Sequence, residues 1–269
     1  MKLYEEAYNI YKLVLQKDSN NAIGLSKLGR VKSILKENDS AEFYCKKAIL
    51  IDPQLPIAHF YLGVIKYDKK EYNNSLKEYN LAIRLKKDYW DAYLNRGVLY
   101  KDLQNYELAL NDYNLALKND SSNDKIYNNR ATVQKLKKQF VKALEDYNHA
   151  ILLKPNDPEY FNNRGNLYLD LGKIDNALND LNKAISLDKN LQPAFYNRSL
   201  IKLQNKDSLG SLEDLNKAIE LNGKDDDAYF NRGLLNYQLG NSKLGQEDFI
   251  RSKELGNKMA AKILAEQIK

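Results

Sequence analysis

Cysteine and histidine are almost missing from this chain, which has one Cys and two His in 269 residues. A zinc site of the usual kind takes about four side-chain ligands, and a catalytic Cys needs a neighbouring base. A phosphate-cradling glycine loop is also missing, because the glycines follow a repeat period described below. The sequence therefore predicts a non-enzymatic protein that holds neither a metal nor a cofactor.

Long apolar runs are missing as well. No stretch reaches the roughly 18 consecutive apolar residues that suggest a membrane span. The N-terminus lacks the uncharged core of a signal peptide. We therefore predict no membrane association and, by default, a cytoplasmic location. A targeting signal lost before Met1 stays an open alternative.

A recurring tripeptide is the dominant feature that is present. Its five copies follow one another at steps of 34 residues and read Asn95-Arg96-Gly97, Asn129-Arg130-Ala131, Asn163-Arg164-Gly165, Asn197-Arg198-Ser199 and Asn231-Arg232-Gly233. A period of this length is typical of stacked helical hairpins, in which each unit buries a core only against its neighbours. The period predicts a single array and favours recognition over chemistry.

Small and bulky residues alternate in columns with the same period. One small column contains Gly29, Gly63, Gly97, Ala131, Gly165, Ser199 and Gly233. A bulky column contains Cys45, Tyr79, Tyr113, Tyr147, Leu181, Leu215 and Phe249. Two helices approach to about 8 Å only where the crossing point carries no bulk. The columns therefore predict two tightly packed helices per block and make Cys45 a buried, inert thiol.

The helical pattern divides the chain into blocks. In one block, apolar residues at helical spacing predict helices over 90–103 and from about 106 to 118, separated by Gln104-Asn105. Residues 1–21 fit only the second helix of a block, and residues 260–269 fit a C-terminal capping helix. The seven complete blocks are predicted at 22–55, 56–89, 90–123, 124–157, 158–191, 192–225 and 226–259.

These blocks resemble the tetratricopeptide repeat, and the resemblance covers essentially the whole chain. The matching positions of one block are Tyr93, Gly97, Tyr100, Ala109, Tyr113 and Ala116, with Pro155 matching in the next. The resemblance implies an all-α, right-handed superhelical solenoid of antiparallel helix-turn-helix repeats. It also implies a scaffold that binds an extended peptide or protein segment in a concave groove lined by the first helix of each repeat.

One departure from the family pattern predicts an ion pair. The Leu expected before the small residue is kept as Leu28 and Leu62 but becomes Arg in the five later blocks. An Asp follows each of these arginines sixteen residues later, as in Arg164 and Asp180, whereas Tyr44 and Glu78 occupy that position in the Leu blocks. Because the two helices of a hairpin are antiparallel, we expect each Arg to meet its Asp in a half-buried pair.

The groove residues follow from the resemblance. An Asn before the Leu-Gly pair often bonds the main chain of a bound peptide in this family, which suits an amide because it both donates and accepts. The alternative is that these Asn residues only face solvent in an Asn-rich chain. By resemblance, the amide ladder is Asn95, Asn129, Asn163, Asn197 and Asn231. Further predicted groove residues are Phe60, Tyr61, Tyr67, Lys125, Asn128, Asn162, Asn166, Tyr196, Leu200, Phe230 and Tyr237.

Other partners fit the sequence less well. Chaperone-binding family members hold C-terminal carboxylates with a clamp of Lys, Asn and Arg, and no cation stands at the first clamp position here. The net charge of +6 suggests nucleic acid, but the predicted groove mixes both signs of charge, which argues against it. Two alternatives stay open: self-association through the incomplete N-terminal repeat, and a regulatory or substrate-recruiting array cut from a larger enzyme.

Overall fold

The computed structural model describes residues 2–267, and within that range the chain is α-helical with no β-strand. The first eight helices are α1 (Lys2–Lys17), α2 (Ala22–Ile34), α3 (Asn38–Ile51), α4 (Pro56–Asp68), α5 (Tyr72–Leu85), α6 (Trp90–Asp102), α7 (Tyr106–Asn119) and α8 (Asp124–Leu136). The other eight are α9 (Phe140–Leu153), α10 (Pro158–Asp170), α11 (Ile174–Leu187), α12 (Gln192–Gln204), α13 (Ser208–Leu221), α14 (Asp226–Gln238), α15 (Ser242–Glu254) and α16 (Lys258–Gln267). The predicted all-α repeat solenoid is confirmed.

The helices belong to two compact units. The first unit ends at Lys137 and contains α1–α8, and the second begins at Lys138 and contains α9–α16. Inside the first unit, the hairpins α2–α3, α4–α5 and α6–α7 are the tightest helix pairs, and each packs on the next. The second unit repeats this arrangement with α10–α11, α12–α13 and α14–α15. First helices therefore neighbour one another inside each unit, as α2 neighbours α4.

The small column lies where the two helices of a hairpin cross. A Cβ added at Gly97 would lie 2.6 Å from Cε1 of Tyr113, which is fully buried. At Gly165 the added Cβ would lie 3.1 Å from Leu181 Cγ. The predicted packing of small residues against the bulky column is thus confirmed in both units. Cys45 has no exposed surface, and burial raises the pKa of its thiol to about 12, which agrees with an inert core residue.

Each hairpin turn contains one residue in the left-handed conformation. Glycine occupies this position as Gly172 (φ 68°) and Gly240 (φ 81°), each directly after a Leu. Elsewhere the position carries a side chain, as in Gln104 (φ 60°). The amide of the next residue, Asn105, donates to the Tyr100 carbonyl at 2.8 Å, so that the turn satisfies one of the last carbonyls of α6.

The first helices begin at recognisable signals. The Asn21 side chain accepts from the Gly24 amide, and the Asp225 side chain accepts from the Ala228 amide. Pro56 and Pro158 occupy the first helical position, where the missing N–H is not needed. These local caps set the start of helices whose stability comes mainly from packing.

The Arg and Asp columns meet as predicted. Arg164 donates to both carboxylate oxygens of Asp180, from Nε at 2.7 Å and from Nη2 at 2.8 Å. The same two bonds join Arg96 to Asp112, Arg198 to Asp214 and Arg232 to Asp248. A third partner was not predicted. Nη1 of Arg164 donates to Oδ1 of Asn148, on the second helix of the preceding hairpin.

The chain ends are helical within the described range. α1 takes the place of a second helix before α2, and α16 packs on α15. Residue 1 and residues 268–269, which the predicted end segments include, lie outside the described residues. The repeat boundaries stay predictions. Among residues 2–267, no helix combines the length and the hydropathy that crossing a bilayer requires.

Candidate functional site

The first unit contains an open cleft with a volume of about 630 Å³. Four first helices, α2, α4, α6 and α8, supply most of its walls. The residues that line it are Arg30, Ile57, Phe60, Tyr61, Val64, Tyr89, Trp90, Asp91, Leu94, Asn95, Val98, Asn123, Asp124, Lys125 and Asn129. This volume lies within the range of about 300–1,000 Å³ that is typical of ligand sites.

Aromatic side chains form a packed apolar lining. The Phe60 ring lies 5.1 Å from the Tyr89 ring and 5.4 Å from the Tyr61 ring, measured between centroids. Phe60 is buried, whereas Tyr61, Tyr89 and Trp90 are half-buried and keep part of their surface in the cleft. Burial raises the pKa of the Tyr61 and Tyr89 hydroxyls, so both stay protonated and can donate hydrogen bonds at neutral pH.

Polar side chains line the same cleft on α6 and α8. Nδ2 of Asn95 donates to the Asp91 carbonyl at 2.8 Å, which fixes the amide against its own helix. Its Oδ1 and one remaining N–H are left for another partner. Within residues 2–267, no group forms a hydrogen bond with the side-chain amide of Asn129. The cleft therefore offers one oriented and one uncommitted amide beside an aromatic surface.

Five of the predicted groove residues come together here: Phe60, Tyr61, Asn95, Lys125 and Asn129. Tyr67 and Asn128, also in the first unit, are not part of this lining. The Tyr67 hydroxyl donates to the Asp102 carboxylate, and the Tyr67 ring packs 5.9 Å from Tyr72. Tyr67 is therefore occupied by contacts within its own repeat and its neighbour.

Several lining residues were missed by the sequence reasoning. Trp90 begins α6, and the helical spacing of the sequence marks it only as an apolar position. Arg30 stands in the column of Val64 and Val98, and this contrast between a cation and two apolar residues is a signal that the sequence offers. Asp91 stands in a column whose residue type varies, with Ile57 and Lys125 one repeat away on either side, so nothing in the sequence singles it out. Arg30 and Asp91 contribute opposite charges to the cleft.

In the second unit, the predicted amides bond to one another. Nδ2 of Asn166 donates to Oδ1 of Asn197 at 3.3 Å, and Nδ2 of Asn197 donates to Oδ1 of Asn162 at 3.0 Å. Nδ2 of Asn162 in turn approaches Oδ1 of Asn163 at 3.4 Å. Asn162 and Asn197 are buried. The four amides thus form a chain that joins α10 to α12.

The remaining predicted residues of the second unit lie on α12 and α14. Nδ2 of Asn231 donates to the Tyr196 hydroxyl at 3.1 Å and to the Asp227 carbonyl at 2.9 Å. Burial raises the pKa of Tyr196 to about 12. Phe230 and Tyr237 pack against Phe249, at 5.7 Å and 5.4 Å between ring centroids, so part of their surface serves the core. Leu200 is half-buried.

The two histidines differ in environment. His59 is buried, with Nδ1 2.7 Å from Oε2 of Glu78 and Nε2 3.1 Å from the Pro53 carbonyl. His149 is exposed on α9. Among the described residues, no three His, Cys, Asp or Glu side chains are grouped so that they could hold a metal ion.

Comparison with family models matches several parts of the chain to one kind of repeat. Models described as "Tetratricopeptide repeat" match residues 90–123 and 158–191, and residues 24–55. A model described as "TPR repeat" matches residues 65–104 and 136–172. The matches to residues 90–123 and 158–191 begin at Trp90 and Pro158, which are also the first residues of α6 and α10. No curated protein matches the sequence significantly.

Solved structures with the same architecture are more distant in sequence. The match to a chain of the APC/C hetero-tetramer Cut9–Hcn1 covers 84% of this protein and 45% of the matched chain, at 20% identity and a TM-score of 0.76. The match to yeast Tom70 covers 98% of this protein and 57% of the Tom70 chain, at 21% identity and a TM-score of 0.66. A repeat protein of Parabacteroides merdae matches 90% and 92%, at 20% identity and a TM-score of 0.64. The chain thus corresponds to about half the length of the first two structures, and the likeness concerns the fold.

Proposed function

The chain belongs to the tetratricopeptide repeat family of protein-interaction scaffolds, and from this premise we propose that its first unit binds an extended peptide or protein segment in the cleft between α2, α4, α6 and α8. The fold is typical of non-enzymatic repeat scaffolds. The bound segment occupies the cleft with its backbone beside α6 and α8 and with apolar side chains against the aromatic lining.

One observation carries the proposal: the oriented Asn95 amide and the uncommitted Asn129 amide lie in one cleft with Phe60 and Tyr61. A peptide backbone offers one N–H and one C=O per residue, and an amide side chain can bond both without reading the sequence. The aromatic surface supplies apolar burial, which is the larger source of affinity at such sites. Together these features suit an extended segment with apolar anchors.

The second unit contributes differently in this proposal. Its buried amides, Asn162 and Asn197, hold α10 against α12, while Asn231 keeps Oδ1 available after its two donated bonds. We propose that a ligand in this unit contacts Asn231 and Tyr196 and leaves the buried pair intact. Asn231 is fixed to its helix four residues back, as Asn95 is, so the two units present the same local amide geometry.

The experiment is a selection of short random peptides displayed on phage against the wild-type protein. Peptides that bind are then synthesised, and their Kd is measured by isothermal titration for wild type and for Asn95→Ala/Asn129→Ala. We expect the substitution of both amides to weaken binding about tenfold or more, because each lost hydrogen bond costs on the order of 1 kcal/mol.

The matched control is Asn111→Ala, a substitution of an exposed Asn on the second helix α7. The control protein should bind as wild type does. Equal Kd values for wild type and the cleft variant, or equal weakening by the control, would contradict binding through the cleft. An unchanged circular dichroism spectrum and urea midpoint exclude unfolding as the cause of a weaker Kd.

A second candidate is self-association through α1. Leu3, Ile10 and Leu13 on this helix are 77%, 58% and 59% exposed. We propose that a second copy covers this apolar surface. Sedimentation velocity should then show a concentration-dependent dimer that Ile10→Glu/Leu13→Glu abolishes and Lys12→Glu does not. A wild-type monomer at all concentrations would contradict it.

The alternative of an array attached to an enzyme stays a prediction. The sequence of the gene on both sides of this segment tests it directly. A flanking catalytic domain would support it, and its absence would contradict it.

A further inference from the structure

Arg30 is an unusual residue in the wall of the cleft. It lies on α2 with a half-buried side chain, in the column that Val64 and Val98 occupy in the next two repeats. Within residues 2–267, no hydrogen bond or ion pair engages its guanidinium. Arg96, one of the arginines that pair with an Asp across a hairpin, by contrast binds Asp112 and Asn80 with three nitrogens. Arg30 therefore places an uncommitted cation beside apolar surface.

Asp91 supplies the opposite charge in the same cleft. It lies in the first turn of α6, and its carboxylate makes neither a hydrogen bond nor an ion pair with any described residue. Burial raises the pKa of this carboxyl, and Asp120 raises it further, while Lys86 and Arg30 act to lower it. No ion pair joins Arg30 and Asp91, although both line the cleft.

Aromatic side chains surround both charges. Phe60, Tyr61 and Trp90 belong to the lining that contains Arg30 and Asp91. A partly desolvated charge without a partner is unfavourable, and a ligand group of opposite sign would relieve that cost. A guanidinium binds a carboxylate through two parallel hydrogen bonds, which makes it more selective than a point charge.

We propose that the cleft selects a peptide segment in which an internal Asp or Glu binds Arg30 and a Lys or Arg binds Asp91, with an apolar residue against the aromatic lining. This inference rests on the binding function proposed above and names the chemistry of its ligand. The observation behind it is charge complementarity, because two uncommitted charges of opposite sign lie in one aromatic cleft. The segment need not end in the cleft, since its carboxylate is a side chain.

The probe is an array of synthetic nonapeptides with acetylated N-termini and amidated C-termini. Each peptide has Phe at its centre, and each of its eight remaining positions is Glu, Gln, Lys or Ser. Binding of the protein to each peptide is measured by fluorescence. For wild type, we expect peptides with Glu at one position to bind about tenfold or more tightly than peptides with Gln there. At a second position, we expect Lys to give the same gain in affinity over Gln.

Three variants assign the preferences to residues. Arg30→Gln should bind the array but lose the preference for Glu, and Arg30→Glu should reverse it to a preference for Lys. Asp91→Asn should lose only the preference for Lys. Arg84→Gln, which changes an exposed Arg on α5, is the matched control and should keep both preferences.

The outcomes separate this inference from the proposed function. Binding in which Arg30→Gln leaves the Glu-to-Gln ratio unchanged overturns the charge inference alone. Absence of binding to every peptide, for wild type as well, overturns the proposed function together with the inference. A second series with free C-terminal carboxylates adds one further outcome: if only these peptides bind, Arg30 binds a chain end, and the internal acidic residue proposed here is wrong.

Discussion

Arg164 and Asp180 form a two-bond ion pair across a hairpin, with Nε and Nη2 of the Arg 2.7 Å and 2.8 Å from the two carboxylate oxygens. Asn148 of the preceding hairpin accepts a third bond from Nη1. One side chain thus joins three helices of two successive repeats. The ring of Phe161 lies 5.7 Å from the guanidinium carbon, which adds a cation–π contact. The same bond from Arg Nη1 to an Asn joins the other Arg-containing repeats to the helix before them.

Replacing Arg164 by Ala should lower the stability of the second unit by about 2–3 kcal/mol, because it leaves the buried Asp180 carboxylate without its partner. The measurement is the urea midpoint of unfolding. Arg251→Ala is the matched control, because Arg251 pairs with Glu254 on the surface of α15, and both side chains are about half exposed. The control should leave the midpoint unchanged, since exposed pairs contribute little. Equal midpoints for Arg164→Ala and wild type would contradict a stabilising role for the pairs of Arg and Asp.

The Leu blocks suggest a rescue of this loss. In the first block, Leu28 and Tyr44 stand where Arg164 and Asp180 stand in the fifth. The double variant Arg164→Leu/Asp180→Tyr should recover most of the stability that Arg164→Leu loses, because no charge is then left buried. A double variant as unstable as the single one would show that the Arg contributes mainly by packing.

Gly97 and Gly165 should respond differently to Ala. The added methyl meets the buried Tyr113 ring at 2.6 Å in the first case and Leu181 at 3.1 Å in the second. Gly97→Ala should cost about 1–3 kcal/mol through overpacking, since the Tyr113 ring is fully buried. At Gly165 the higher helix propensity of Ala, about 1 kcal/mol, should offset a smaller clash. Urea midpoints that fall equally would contradict this packing argument.

Replacing Gln104 with Gly should raise the stability of the first unit. Its φ of 60° is a conformation that a side chain adopts at a cost of about 1–2 kcal/mol, and Gly240 stands at the same place in the turn between α14 and α15. Allowing for the larger entropy of Gly in the unfolded chain, Gln104→Gly should raise stability by about 0.5–1 kcal/mol. Gly172→Ala is the reciprocal substitution and should lower the midpoint. A lower midpoint for Gln104→Gly would show that the side chain outweighs the backbone strain.

His59 should make the first unit more stable at lower pH. The hydrogen bond to Glu78 raises the pKa of His59 above 6.5, and it does so despite burial, which lowers it. A raised folded pKa means that the stabilisation is fully present below the unfolded pKa of about 6.5 and is lost as pH rises through the folded pKa. Urea midpoints measured on both sides of neutrality should therefore fall with rising pH, and Glu78→Gln should flatten this dependence. A wild-type profile as flat as that of the variant would contradict the charged pair.

The period made much of this structure predictable. Because Arg and Asp change together between blocks, their pairing followed from sequence and antiparallel geometry alone. Asn80, Asn114, Asn148, Asn182 and Asn216 also recur at the same period, but nothing distinguished these acceptors from other exposed Asn residues. In the block where Leu62 stands in place of the Arg, Glu78 stands in place of the Asp and pairs with His59 instead. Only the structure brings these two side chains together.

The candidate site was predictable in part for a physical reason. Backbone periodicity places Asn95 and Asn129 on one surface, so their position followed from the sequence. Rotamers decide the rest: whether an amide bonds its own helix, as Asn95 does, or another amide, as Asn197 does, depends on local packing. Arg30 departs from the column of Val64 and Val98, whereas Asp91 stands in a column whose residue type varies, so periodicity alone does not single it out.

The most direct test of the central claim observes the amides during binding. The side-chain NH2 signals of Asn95 and Asn129 are assigned in a protein labelled with ¹⁵N at Asn, by substituting each residue once. A phage-selected peptide is then added. The account predicts large chemical-shift changes for both signals and none for Asn111 on α7. Saturated binding that leaves the Asn95 and Asn129 signals in place while it shifts Asn111 would contradict it.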